Sequence, residues 1–142
     1  MRRLGRRLGF SPSAQEVASL PESIRDWPAF PDTVEALRRL QTRYKLAIVS
    51  NIDDDLFAHT APRLEVRCDH VITAQQCRSY KPSLNNFRMA IERIGLGPEA
   101  ILHCAESRRH DIAPARQLGL ANVWVNRHAT RPGPSASGKG NA

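Results

Sequence analysis

No apolar run in this chain approaches the ~20 residues that cross a bilayer, and none follows the first arginines as the core of a signal peptide would. That argues against a membrane partner of this kind, and the expected location is cytoplasmic. Cysteine is scarce as well. Cys68, Cys77 and Cys104 are odd in number and lack the paired short spacings of a zinc site, so a reduced compartment fits and Cys104, inside an apolar run, reads as a small buried side chain. Lysine is rarer still beside arginine, three against eighteen, and the net charge of +7 is therefore mostly guanidinium. Those arginines are scattered over predicted helices without interleaved aromatics or a reading-helix motif, which makes nucleic acid an unlikely partner. Acids are absent before Glu16, and Arg2, Arg3, Arg6 and Arg7 resemble a transit peptide, but an amphipathic helix is the preferred reading.

What is present has the size of one globular domain, 142 residues with 41% apolar composition. Ser13 and Glu16 form a capping box, which predicts a helix from there to near Pro21. Val34, Leu37 and Leu40 predict a helix over 32–43, and Leu46-Ala47-Ile48-Val49 is too short for one, so it reads as a buried strand. The alternation then repeats. A helix capped by Asp53 carries Leu56, Phe57, Thr60 and Leu64; His70-Val71-Ile72-Thr73 is a strand; Leu84, Phe87, Ile91 and Ile94 trace a helix stopped by Gly95. Residues 101–105 form a third strand, Ile112, Ala115 and Leu118 a helix stopped by Gly119, and 123–125 a fourth strand. The fold class is α/β, with a mostly parallel sheet flanked by helices. From Ala129 onward Pro, Gly, Ser and Lys dominate, and a disordered tail is expected over 129–142.

Ligands of parallel sheets bind beyond the carboxyl ends of the strands. Ser50 and Asn51 directly follow the first strand, Lys81 precedes the helix near Ser83, and Glu106 directly follows the third strand with Asp111 five residues on. A hydroxyl, an amide and an ammonium at one edge suit a small anion, and Glu106 with Asp111 offers hard oxygens to Mg²⁺. Each residue also has a plain reading. Ser50-Asn51 can simply turn the chain, Lys81 can be an ordinary exposed lysine, and Asp111 can be an acid favoured at a helix start. His103 and His110 lack ligand partners at metal spacing and read as structural.

Three phrases, Val49-Ser50-Asn51, Tyr80-Lys81-Pro82 and Glu106-Ser107-Arg108-Arg109-His110-Asp111, followed by Val123-Trp124-Val125-Asn126, resemble motifs two to four of the haloacid dehalogenase superfamily. Within it, the 2-haloacid dehalogenase-like (type II) branch is the most similar. The resemblance implies a Rossmann-like core over 28–128, with 1–27 as remnant cap helices and linker. It further implies that Ser50 and Asn51 bind the substrate's anionic group, that Lys81 orients and balances a nucleophile, and that Asp111 positions water or metal. No cofactor is implied for a dehalogenase, and Mg²⁺ held by Glu106 and Asp111 for a phosphatase; Glu106 departs from the aspartate that phosphatases usually carry. The family's nucleophile stands in an Asp-x-Asp pattern ending an apolar strand, and nothing upstream of Ser50 fits it. Before Asp53 only Asp26 and Asp32 occur, and Asp53 itself is better explained as a helix cap.

By that alignment the usual first, central strand and most of the cap precede Met1, and the vacant place lies between the strands at 45–50 and 101–105. The expected activity is hydrolytic halide displacement through an aspartyl ester, absent from the chain alone. The expected substrate is a 2-haloacid or a phosphomonoester. Alternatives are a Mg²⁺-dependent phosphatase fragment and a non-catalytic remnant or subunit, completed by another chain or by homo-oligomerisation. A signalling receiver domain is disfavoured, because two strand-helix units follow Lys81 where that fold leaves only a helix.

Overall fold

A computed structural model describes residues 2–127. It divides into two compact units, one comprising the residues through Tyr44 together with Asp54–Arg67, the other Lys45–Asp53 and the residues from Cys68 on. The expected tail at 129–142 lies outside the described residues.

The first unit is helical. It holds α1 (Arg2–Leu8), α2 (Ala14–Ile24), α3 (Thr33–Gln41) and α4 (Asp54–Leu64). The capping box is formed, with the Ser13 hydroxyl accepting from the Glu16 amide at 3.2 Å and the Glu16 carboxylate from the Ser13 amide at 2.8 Å. The expected stop at Pro21 is corrected: α2 runs through it to Ile24. Proline removes a single intrahelical donor, and the following turn still closes through Arg25 N–H to Glu22 O and Asp26 N–H to Ser23 O. Arg38 pairs with Glu65, and Gln41 reaches the Arg67 carbonyl, tying α3 to the end of α4.

The second unit carries every strand among the described residues: β1 (Ala47–Ser50), β2 (His70–Thr73), β3 (Leu102–Ala105) and β4 (Ala121–Trp124). All pairing is parallel, β1 with β2 and β3 with β4. Among the described residues no strand joins β1 to β3, so the sheet is split into two pairs at the place where the central strand was expected to be missing.

One helix serves both pairs. In α6 (Leu84–Ile94) the spacing of Phe87, Ala90 and Ile91 lays an apolar stripe along one face. Ala90 packs with Ile72, Cys77 and Val49 under β1 and β2, whereas Phe87 packs with Ala115, Leu120 and Ile101 beside β3 and β4. Gly95 ends the helix at φ +72°, a left-handed cap. Two further short helices, α5 (Ala74–Cys77) and α7 (Ala113–Gln117), complete the unit, the second preceded by a π-helical turn at Arg108–Ile112.

Cys104 is exposed, which corrects the expectation of a buried thiol. Its neighbour Leu102, on the same face by strand alternation, is 59% exposed. An apolar strand sequence predicts burial only if partners cover both faces, and β3 is not covered on this one.

Candidate active site

Lys81 is placed by side chains that hold its loop from both ends. The Asn51 amide donates to the Lys81 carbonyl at 3.0 Å and accepts from the Lys81 N–H at 2.6 Å, a side-chain copy of a backbone ladder. On the other side Asn86, fully buried at the start of α6, donates to the Ser79 carbonyl at 2.8 Å and accepts from the Ser79 hydroxyl at 2.9 Å. Asn85 adds a bond to the Cys77 carbonyl at 2.9 Å.

Thus fixed, Lys81 extends its ammonium to the end of β1. Nζ donates to the Val49 carbonyl at 2.8 Å and to Asp111 Oδ1 at 2.6 Å. Both partners of this ion pair are largely buried, their side chains 11% and 7% exposed, so it is not a screened surface contact. His103 Nε2 lies 3.2 Å from the same Asp111 oxygen, and its ring meets Phe87 edge to face at 5.2 Å. Burial works to raise the Asp111 pKa, but the hydrogen bond from His103 and the charge and hydrogen bond of Lys81 outweigh it. The carboxyl is held below its ordinary range and stays ionised.

Asp111 owes its position to the turn after β3. Ser107 caps the π-helical segment, its hydroxyl accepting from the His110 N–H at 3.1 Å and standing 3.0 Å from His110 Nδ1. Trp124 braces the same turn from β4, with Nε1 donating to the Glu106 carbonyl at 2.8 Å and the Arg108 guanidinium stacked 4.6 Å over its ring.

The structure therefore brings Asn51, Lys81 and Asp111 into one bonded chain, and Ser50 stands next to Val49, whose carbonyl Lys81 grips. Glu106 contributes its backbone to the brace from Trp124. Asn51 turns out to be a clamp on Lys81, though its amide keeps a second proton for a ligand. Asp53 directly precedes α4 in the sequence and takes no part in the Lys81–Asp111 chain. Sequence reasoning did not single out Ser79 or Asn86, and it read His103 as structural without seating it on Asp111. A strand histidine eight residues before an acid carries no local signal, and only the spacing of Ser79 and Asn86 across a helix start hinted at the clamp.

Asp111 Oδ1 is committed to two nitrogen donors, and among the described residues no group of three or more His, Cys, Asp or Glu side chains is arranged to hold a metal ion.

A family model described as haloacid dehalogenase-like hydrolase matches residues 6–119. The chain is 28% identical over 116 residues to (S)-2-haloacid dehalogenase 4A of Burkholderia cepacia, covering 80% of this chain and 50% of that protein. It is 30% identical over 127 residues to (S)-2-haloacid dehalogenase of Pseudomonas sp. (strain YL), covering 86% and 53%. Among solved structures, L-2-haloacid dehalogenase from Xanthobacter autotrophicus superposes with a TM-score of 0.76 at 23% identity, covering 89% of this chain and 51% of that one. A HAD phosphatase from Thermococcus onnurineus gives 0.66 at 27% identity, covering 89% and 59%. The chain spans about half the length of these relatives.

Proposed function

Since this chain belongs to the haloacid dehalogenase-like hydrolase family, we propose that it forms the acid-binding and charge-balancing half of a 2-haloacid dehalogenase-type site, inactive until a nucleophilic carboxylate is supplied. The observation that carries this reading is the buried Lys81–Asp111 pair at the end of β1. In the proposed reaction the incoming carboxylate attacks C2 of the haloacid, and halide leaves with the electrons of the broken carbon–halogen bond. Water then adds to the carbonyl of the resulting ester, releasing a 2-hydroxy acid and a proton and regenerating the carboxylate. Ser50 and Asn51 hold the substrate's own carboxylate, Lys81 balances the nucleophile's charge, and Asp111 fixes Lys81 and positions water. Residues 1–27 belong to a cap that shapes substrate choice. The three free thiols suit a reducing, cytoplasmic setting.

A Mg²⁺-dependent phosphatase is the second reading, favoured by the 28% identity to glyceraldehyde 3-phosphate phosphatase of Methanothermobacter thermautotrophicus. The Lys81 and His103 donors already seated on Asp111 weigh against it. A panel of (S)-2-chloropropionate and p-nitrophenyl phosphate with Mg²⁺ separates the two, run on the 142-residue chain and on a version extended ahead of residue 1 by an apolar strand ending in Asp-x-Asp. Halide release by the extended version alone is expected. Phosphate release without halide release moves the assignment to the phosphatase.

A further inference from the structure

His103 puts a polar ring at a position that packing alone would fill with an apolar one. Strand alternation turns Leu102 and Cys104 outward and His103 inward, opposite Asn122 of β4, with its side chain 14% exposed. There the imidazole meets Phe87 edge to face at 5.2 Å and reaches Asp111 Oδ1 with Nε2 at 3.2 Å. Asp111 stays ionised and can only accept, so Nε2 carries a proton and donates. Phe87 is fully buried in α6, which leaves the histidine ring little room to swing.

Lys81 and His103 load the same oxygen. An ammonium is a compact charge with three rotatable donors and can serve either oxygen of a carboxylate, whereas an imidazole N–H points one way in the plane of its ring. Of the two donors it is therefore His103 that selects Oδ1 and fixes the carboxyl plane. Asp111 Oδ2 bonds to no described residue, and among the described residues no buried side-chain nitrogen or oxygen lacks a partner, so Oδ2 opens to solvent. We infer that His103 is a positioning residue, which by holding Oδ1 turns Oδ2 toward the water that opens the ester intermediate. This role rests on the haloacid reading above. In that step the oxygen of water bonds the ester carbonyl carbon, and one of its protons passes by way of Oδ2 to the departing 2-alkoxide as the carbon–oxygen bond breaks. The second proton is released as the nucleophile's carboxylate reforms. Ester formation, which draws on Lys81 and on the contacts to the substrate's own carboxylate, makes no use of Oδ2.

Two substitutions separate the N–H from the ring. H103Q keeps a donor without the aromatic contact, and H103F keeps an aromatic contact with Phe87 without the donor. On the 142-residue chain, the NMR signal of the Asp111 side-chain carboxyl carbon should hold its place in H103Q and move in H103F. In the version extended by the Asp-x-Asp strand, single turnovers with (S)-2-chloropropionate separate halide release, which reports ester formation, from hydrolysis of the ester, followed by mass spectrometry. H103F should slow hydrolysis about tenfold or more, the scale of a lost hydrogen bond to a charged group, and leave the halide burst within about twofold. The ester should accumulate in H103F, and H103Q should recover most of the rate. An Asp111 signal unmoved in H103F, unchanged hydrolysis, or an equal loss in the halide burst overturns the inference. So does a loss in H103Q as large as in H103F, which would make ring packing the cause. If the extended version with His103 intact releases no halide, the haloacid reading falls. The Asp111 signal then decides alone: movement confined to H103F keeps His103 as the residue that orients the carboxyl group, and any other pattern removes that as well.

Discussion

At the scale of single residues, the Lys81–Asp111 pair decides most. Removing one partner strands a buried charge, which in proteins typically costs about 3–5 kcal/mol. K81M should therefore lower the denaturation midpoint sharply, while K81M combined with Asp111→Leu should recover much of the loss; urea melts of the single and double variants check this. The pH dependence follows from the direction of the Asp111 shift. A carboxyl held below its unfolded pKa adds stability that is fully present above the ordinary carboxylate range and is lost as pH falls through the folded value. Melts from pH 7 down into the acid range should show a loss that is smaller in Asp111→Asn. Lys81 and Asp111 were both singled out in the sequence, the first ahead of the helix near Ser83 and the second in the turn after the third strand. Their direct bond was not, because a contact across thirty residues depends on how loops close rather than on local pattern, and neither was the His103 contact, which depends on how the turn after β3 folds back.

At the scale of elements, hydrophobic period located the strands and α6 within a residue or two, since a buried face must repeat with the geometry of its own backbone. It failed where backbone hydrogen bonding overrode the punctuation. α2 passes through Pro21, and the expected single helix near Ile112 begins as a π-helical turn capped by Ser107. The loop before α6 was the least legible part, for its shape is set by Asn85 and Asn86 reaching backward to Cys77 and Ser79. Asn86→Ala leaves the Ser79 carbonyl and hydroxyl without their buried partner. A loss of about 1–3 kcal/mol is expected, the cost of an unsatisfied buried group. If Asn86 holds the Lys81 loop, the same variant should also broaden the Lys81 amide resonance; a sharp, unshifted signal would show that Asn51 alone suffices.

At the scale of the whole molecule, the family and the α/β class were readable from motif order, whereas the division of the sheet into two pairs followed only from what the sequence lacks. A two-stranded sheet is marginal by itself, and here each pair leans on α6 and leaves an edge open. Uncovered apolar side chains accompany those edges, with Leu102 and Val123 59% and 46% exposed. Open edges beside apolar surface invite pairing between copies. The isolated chain is therefore expected to self-associate on concentration and to scatter light well before any sharp calorimetric transition. Charge on the edge should suppress this: Leu102→Lys removes an exposed leucine from β3, places a cation where a second copy would dock, and leaves the buried Phe87–Leu120 cluster untouched. Static light scattering across a concentration series should show association falling in Leu102→Lys. A monomeric unaltered chain that melts in one cooperative step would mean the edges are satisfied in another way.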